Sequence, residues 1–416
     1  MRILFVHEVN YLRKVIYEIH DFPELLSMRG HDVSFVDFAE GDTPSGVARF
    51  IDLRTRVQRG VARAHRRASV RVVTPGRVLP PPYDRLVASV TQVPLIRREL
   101  RDGGYDAVVL YAVPTNGWQT VLLAQRYGVP VLFRSIDVSH ELRKSVFRSA
   151  IGRAERFILK RADRVSTNNV AMQRYVIAEG ASPPLVEVDY PGLDLERFAP
   201  GPRAADLCAR YGIGVDDRVV LFMGTLYRFS GLDWFLDGFA QALRDRPDTK
   251  VLLIGGGEAG GALRSQVTQL GIASQVIFTG FVDYPDLAAH LNLGTVAITP
   301  FEEKLVTHCA LPGKMLQYAG CGIPTVSTRL EGIQGLIPDG SGASYRAPGA
   351  DFIEGVTHLL DDEEARAASG RQARQTMEER CNWETAIEGF EAAILKAVAQ
   401  GRAHDRSSGL SDATDD

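Results

Sequence analysis

The chain has 416 residues, 45% of them apolar and 24% charged, which is the composition of an ordinary globular protein with length for two domains. A net charge of −3 excludes a general polyanion binder, so nucleic acid is not an expected partner. Four cysteines (Cys208, Cys309, Cys321 and Cys381) are too few and too scattered for a zinc site or a disulfide framework. They point to a reducing compartment, the cytoplasm.

Residues 1–6 run straight into a strand pattern, and that apolar run is too short for a signal-peptide core. No stretch of about 18 apolar residues is present, so no membrane span is expected. The first predicted strand covers 3–6, followed by a polar turn at 7–10, a helix over 15–29 and a strand over 33–36. Residues 49–77 hold nine arginines against one acid, Asp52. Phe50, Leu53, Val57, Val61, Ala64 and Ala68 recur there at steps of three and four, which predicts a basic amphipathic helix. Its solvated face is one reading. The other is a landing site for an anionic membrane, giving peripheral contact with the membrane's inner face.

Strands follow over 107–111 and 129–133, then a long helix over 141–160, then strands over 165–167 and 185–188. After a linker over 198–218 the plan repeats, with strands over 218–223, 250–254, 276–278, 295–299 and 324–327. Strands apolar on both faces and alternating with helices predict parallel sheets covered on both sides. The expected division is a first domain over 1–200 and a second over 201–382. A striped helix over 383–400 returns to the first domain, and a disordered tail covers 401–416. Two doubly wound α/β domains place their ligand-binding loops at the carboxyl ends of the strands, facing a cleft.

Five segments carry the chemistry. They are residues 190–198 (Tyr-Pro-Gly-Leu-Asp-Leu-Glu-Arg-Phe), 222–232 (Phe-Met-Gly-Thr-Leu-Tyr-Arg-Phe-Ser-Gly-Leu), 253–258 (Leu-Ile-Gly-Gly-Gly-Glu), 278–283 (Phe-Thr-Gly-Phe-Val-Asp) and 300–328. Glycine after a strand lets backbone approach a ligand, and the amides at the next helix entrance suit a phosphate. In order and spacing these segments resemble the retaining glycosyltransferases of family 4, over nearly the whole chain. That resemblance implies the GT-B fold, in which two Rossmann-like doubly wound domains face each other across a cleft. It implies a retaining hexosyltransferase that uses a nucleotide-sugar, UDP-linked, as co-substrate. The acceptor is a hydroxyl on a small molecule, a lipid-linked compound or a glycan. No cofactor and no metal are implied, and no Asp-x-Asp occurs in the expected loops.

Carried onto this chain, the resemblance puts the donor at Gly224, Thr225, Ser230, Gly256, Glu258, Phe281, Val282, Cys309, Ala310, Leu311 and Gln317. The family's two diphosphate-neutralising cations are replaced by Thr225 and Ser230, and its two glutamates, spaced by seven residues, by Cys309 and Gln317. Lys314 matches a Pro-x-Lys of a subgroup, and with Arg228 it supplies the missing positive charge. In the first domain the loop residues His7, Glu8, Asn10, Tyr11 and His140 are candidates for the acceptor, and Asp137 for orienting or deprotonating its hydroxyl. The departures leave two alternatives beside the transferase: a non-catalytic partner subunit of the same fold, or a sugar phosphorylase or epimerase built on it.

Overall fold

The computed structural model describes residues 1–39, 51–79, 83–141 and 147–409, with side chains to Gly401. It divides into two units, Met1–Pro191 with Glu384–Asp416, and Gly192–Trp383. The first boundary falls before 201 because residues 192 and 193 belong to the second unit's backbone. The Leu193 N–H donates to the Cys381 carbonyl at 2.8 Å, and Leu193 bridges Asn382.

In the first unit the strands are β1 (Arg2–Val6), β2 (Asp32–Val36), β3 (Ile51–Asp52), β4 (Arg56–Val61), β5 (Val70–Thr74), β6 (Arg77–Val78), β7 (Ala107–Leu110), β8 (Val131–Ser135), β9 (Arg164–Thr167) and β10 (Val186–Val188). Eight of them form one sheet in the order β10-β9-β8-β7-β1-β2-β5-β4, and β3 pairs with β6 separately. All pairs of the large sheet are parallel except β4 with β5. β1 reads Arg-Ile-Leu-Phe-Val, and its last four side chains are buried. Such a strand has no solvent face, as a centre position between helical layers requires.

Residues 51–77 of the basic stretch do not form a helix, and Arg49 and Phe50 lie outside the described residues. Residues 51–78 form β3 to β6, and the arginines of β4 stand on an exposed edge strand. The spacing of its apolar residues suits a helix, but Val57, Val61, Val70, Val72 and Val73 are β-branched and gain more by pairing. Gly60, at φ 67°, bends β4 where the register shifts, and lysine-free arginine charge protects the edge from further pairing. The first helix is shorter than expected, Glu18–Met28, and the helix expected over 141–160 is observed as Arg148–Leu159. Residues 142–146 lie outside the described residues. The last helix, Trp383–Gly409, continues through the first nine residues of the expected tail, and 410–416 lie outside the description. Its Phe390 stacks on Phe22 of the first helix at 4.1 Å, and Glu391 receives His31 and Arg29, so the helix packs on the first unit.

The second unit has β11 (Arg218–Met223), β12 (Thr249–Ile254), β13 (Val276–Gly280), β14 (Val296–Thr299), β15 (Thr325–Ser327) and β16 (Ala343–Tyr345). All are parallel, in the order β13-β12-β11-β14-β15-β16. β16 is three residues long, too short to announce itself by periodicity. Both large sheets reverse strand order beside their first strand, between β1 and β7 and between β11 and β14. Crevices open at such points at the carboxyl ends of the strands.

Candidate functional sites

In the second unit the reversal point is occupied by Lys314. It is the second residue of the helix Gly313–Gly320, which follows β14 and its loop. Its Nζ stands 4.1 Å from the centre of the Phe222 ring at the end of β11 and 4.4 Å from that of Phe301 just after β14. The residue is half-buried, and among the described residues its ammonium has no hydrogen-bond or ion-pair partner. Crowding by protein with no anion nearby pushes it down from 10.5 to about 7. Two rings hold the cation by their faces and leave its N–H groups for an incoming anion.

The glycine turns close around it. Gly224 has φ 138°, and a Cβ there would lie 2.8 Å from Lys314 Nζ. Gly255, at φ 127°, has no room for a Cβ because the Gly224 carbonyl oxygen would lie 2.1 Å away. The loops after β11 and β12 thus touch backbone to backbone, with the Leu226 N–H donating to the Gly256 carbonyl at 3.0 Å. Gly256 and Gly313 face open space. Thr225, Arg228 and Glu258 are exposed, Arg228 has no partner among the described residues, and Phe281 is 70% exposed. Val282, Ala310, Leu311 and Gln317 are half-buried, and the Gln317 side-chain amide is unpaired among the described residues.

Two donor candidates are not available to a ligand. Ser230 is buried, and its hydroxyl accepts from the Tyr227 N–H at 3.1 Å and donates to the Thr225 carbonyl, so it closes its own turn. Cys309 is 3% exposed, packed on the inner side of the short helix Leu305–Cys309. The aromatic frame of Phe222 and Phe301 was not singled out from the sequence. The only signal was their position at the ends of two predicted strands.

In the first unit a cavity of about 340 Å³ lies at the carboxyl ends of β1, β7 and β8. His7, Glu8, Lys14, Tyr111, Arg134 and Asp137 are among its walls. His7 stacks on Tyr111 at 5.1 Å and accepts the Glu8 N–H at Nδ1, 2.7 Å. That bond puts the ring proton on Nε2, which is inaccessible to solvent and has no partner. Burial, then the charges of Lys14 and Arg85, push His7 down to about 3, so it is neutral at working pH. Asp137 has no hydrogen-bond partner among the described residues, and burial with the nearby Glu18 charge pushes it up to about 7.

Beneath the cavity Arg134 is wholly buried, in a bidentate pair with Glu18 at 2.9 Å. It also donates to Ser166 Oγ and the Thr167 and Asp189 carbonyls, and faces the Phe22 and Phe390 rings. Tyr111 donates to the same Glu18.

Four first-domain candidates are occupied with structure. Glu8 accepts from the Val113 and Thr115 amides and the Thr115 hydroxyl, clasping the loop after β7. Asn10 caps its own turn by accepting from the Leu12 and Arg13 amides. Tyr11 is fully buried and donates to Glu24, and His140 faces Glu155 and Tyr175. Short polar side chains after a strand are as readily consumed by turn closure as offered to a ligand.

Two Rossmann-like units, each with a polar or cationic crevice at its strand-order reversal, are the architecture on which the comparisons bear. The family described as "Glycosyl transferase 4-like domain" matches residues 19–192, and "Glycosyl transferases group 1" matches 217–362. A D-inositol 3-phosphate glycosyltransferase from Acidothermus cellulolyticus is 28% identical over 80% of this chain and 78% of its own. A GDP-mannose-dependent alpha-(1-6)-phosphatidylinositol monomannoside mannosyltransferase from Mycolicibacterium smegmatis is 30% identical over 63% of this chain and 69% of its own. Among solved structures, the sucrose-phosphate synthase of Thermosynechococcus elongatus superimposes with a TM-score of 0.72 over 98% of this chain and 99% of that one, at 16% identity. Anabaena Alr3699/HepE in complex with UDP and glucose gives 0.71 over 94% and 98%, at 17% identity. The chain belongs to the family 4 glycosyltransferases and has the GT-B fold. It is a glycosyltransferase that uses a sugar nucleotide.

Proposed function

We propose that this enzyme transfers a hexose from a UDP-linked donor to an acceptor hydroxyl with retention of anomeric configuration, without a metal or other cofactor. The observation that carries the donor side is Lys314, a cation at the strand-order reversal with no carboxylate paired to it among the described residues. A leaving diphosphate gains negative charge as the glycosidic bond breaks, and a fixed cation stabilises that state more than the bound substrate. Arg228, exposed on the loop after β11, is the second cation of the site. Gln317 takes the ribose hydroxyls, and backbone at Gly224, Gly256 and Ala310 lies along the nucleotide. The GDP-mannose in the mycobacterial relative's name makes GDP the competing base. The acceptor enters the first unit's cavity; inositol 3-phosphate and phosphatidylinositol monomannoside appear in the relatives' names.

Thermal denaturation with UDP, GDP, TDP and ADP tests the donor assignment. The correct diphosphate at 100 times its Kd adds about 2.7 kcal/mol of stability. No shift with any of the four would remove the reading. The anomeric configuration of the product, followed by NMR from the start of turnover, decides retention.

Among the described residues no helix is long and apolar enough to cross a membrane. The four cysteines are free, which supports a cytoplasmic setting. Peripheral contact with an anionic membrane fits the exposed Ile51, Leu53 and Val57 beside Arg59, Arg66 and Arg67. Changing those three arginines to serine should abolish salt-sensitive binding to anionic vesicles. Equal binding of the unmodified protein to neutral vesicles would exclude the contact.

A further inference from the structure

We infer that Tyr318 is a positioning residue of the donor site, whose hydroxyl fastens the helix Gly313–Gly320 to the end of β11 and so holds Lys314 in the crevice. This deepens the donor half of the function proposed above and rests on it.

The sheet opens beside β11. Its pairing with β12 runs through to Met223, but its pairing with β14 involves only Val220 and Leu221. The Gly224 N–H donates to the Ile254 carbonyl of β12 at 2.8 Å, so the N–H one residue earlier, at Met223, faces the side that β14 has left. A strand N–H with no strand opposite it must find another acceptor or go unsatisfied. The acceptor is the Tyr318 phenol, 2.6 Å away, which donates in turn to the Met223 carbonyl at 3.5 Å. Tyr318 is fully buried, and burial pushes its phenol well above the ordinary tyrosine range, so it stays protonated at working pH.

The bond matters for Lys314 because nothing nearer holds that side chain. No side chain caps the helix start at Pro312, and a Cβ on Gly313 would face open space. Lys314 Nζ rests on the ring faces of Phe222 and Phe301, without a hydrogen bond among the described residues. Tyr318 lies four residues on, on the same helix face. Its partner Met223 follows Phe222, the ring nearest the cation. One hydrogen bond therefore joins the turn after the cation to the strand end that carries its ring. A looser joint would let cation and ring slide apart, and a shift of about 1 Å is enough to disable a reacting geometry.

The test is a double-mutant cycle in the full-length enzyme, read by calorimetry with UDP and GDP, whose diphosphate carries the charge that develops on the leaving group. Lys314→Met should weaken the better-binding diphosphate by about 20-fold. Tyr318→Phe keeps the ring and removes the one bond, and should weaken it by about fivefold. The double variant should bind within about twofold of Lys314→Met, since Tyr318 acts through the lysine. Additive losses, about 100-fold together, are what a merely structural residue would give, and they would overturn the inference. Carbon-13 NMR of the lysine Cε carbons gives a second reading. The signal that titrates at about 7 and vanishes in Lys314→Met should move its midpoint up by about one pH unit in Tyr318→Phe, as water reaches the ammonium. An unmoved midpoint counts against a positioning role. Should Tyr318→Phe fail to fold, hydrogen exchange on the unmodified protein decides. The Met223 amide should exchange as slowly as that of Gly224, and exchange at the rate of the exposed Thr225 amide would remove the bond and the inference with it. Failure to bind either diphosphate removes the donor reading itself. Binding that depends on Lys314 and ignores Tyr318 sinks this inference alone.

Discussion

The two sites occupy the same topological position in their sheets and are built on opposite plans. The second unit presents one cation framed by two aromatic rings, with glycine turns pressed against it. The first presents a cavity above a buried Arg134–Glu18 ion pair, with His7, Lys14 and Asp137 on its walls. In the function proposed above, an anionic leaving group calls for a fixed positive charge, and an acceptor hydroxyl calls for polar groups that orient it. The same fold serves both because the strand-order reversal provides the opening and the loops provide the chemistry.

The largest expected effect breaks the floor of the first site. Arg134→Met leaves Glu18 buried with the Tyr111 hydroxyl but without its cation, and a broken buried pair costs about 3–5 kcal/mol. Urea denaturation followed by a probe in the first unit measures it. A loss below 1 kcal/mol would show that the floor is not what holds this site together. The second unit should keep its nucleotide binding in that variant.

The next effect separates charge from contact within the donor site. Lys314→Ala should lower kcat by roughly 100-fold with a smaller change in donor Kd, the loss expected for a group that stabilises developing charge. Gln317→Ala should do the reverse and weaken the donor by about fivefold, since one hydrogen bond is worth about 1 kcal/mol in both states. A Lys314→Ala enzyme with undiminished kcat would move the phosphate contact to Arg228.

The last effect is a difference in pH response. The Lys314 ammonium titrates near 7 in the free enzyme, below its ordinary 10.5, and a bound diphosphate would raise it. Below pH 7 the proton is already in place. Above it, binding must take up a proton, and affinity falls by up to tenfold per pH unit until the bound-state value is reached. Calorimetry at pH 8 in buffers of different ionisation enthalpy should register that uptake and lose it in Lys314→Met. Without ligand the sign reverses. The unfolded chain keeps the proton that the folded one has released, so this group adds stability as pH rises from 7 towards 10.5.

The sequence by itself determined the two parallel sheets, since continuous apolar runs such as 219–222 and 251–254 have no solvent face to offer. It also marked the tight turns after β11 and β12, where glycine at 224 and 255 is required by a positive φ and a close backbone approach. The tertiary structure alone decided the path of residues 51–78, where pairing with β2 through β5 outweighed a helical spacing of apolar residues. It decided too which polar residues of the first unit remain free. His7, Glu8, Asn10 and Tyr11 are near neighbours in sequence and alike in chemical promise, yet three of them are spent on Val113, Leu12 and Glu24. A hydrogen bond to a partner a hundred residues away leaves no local signature, so only the folded chain shows that Glu8 is spent on Val113.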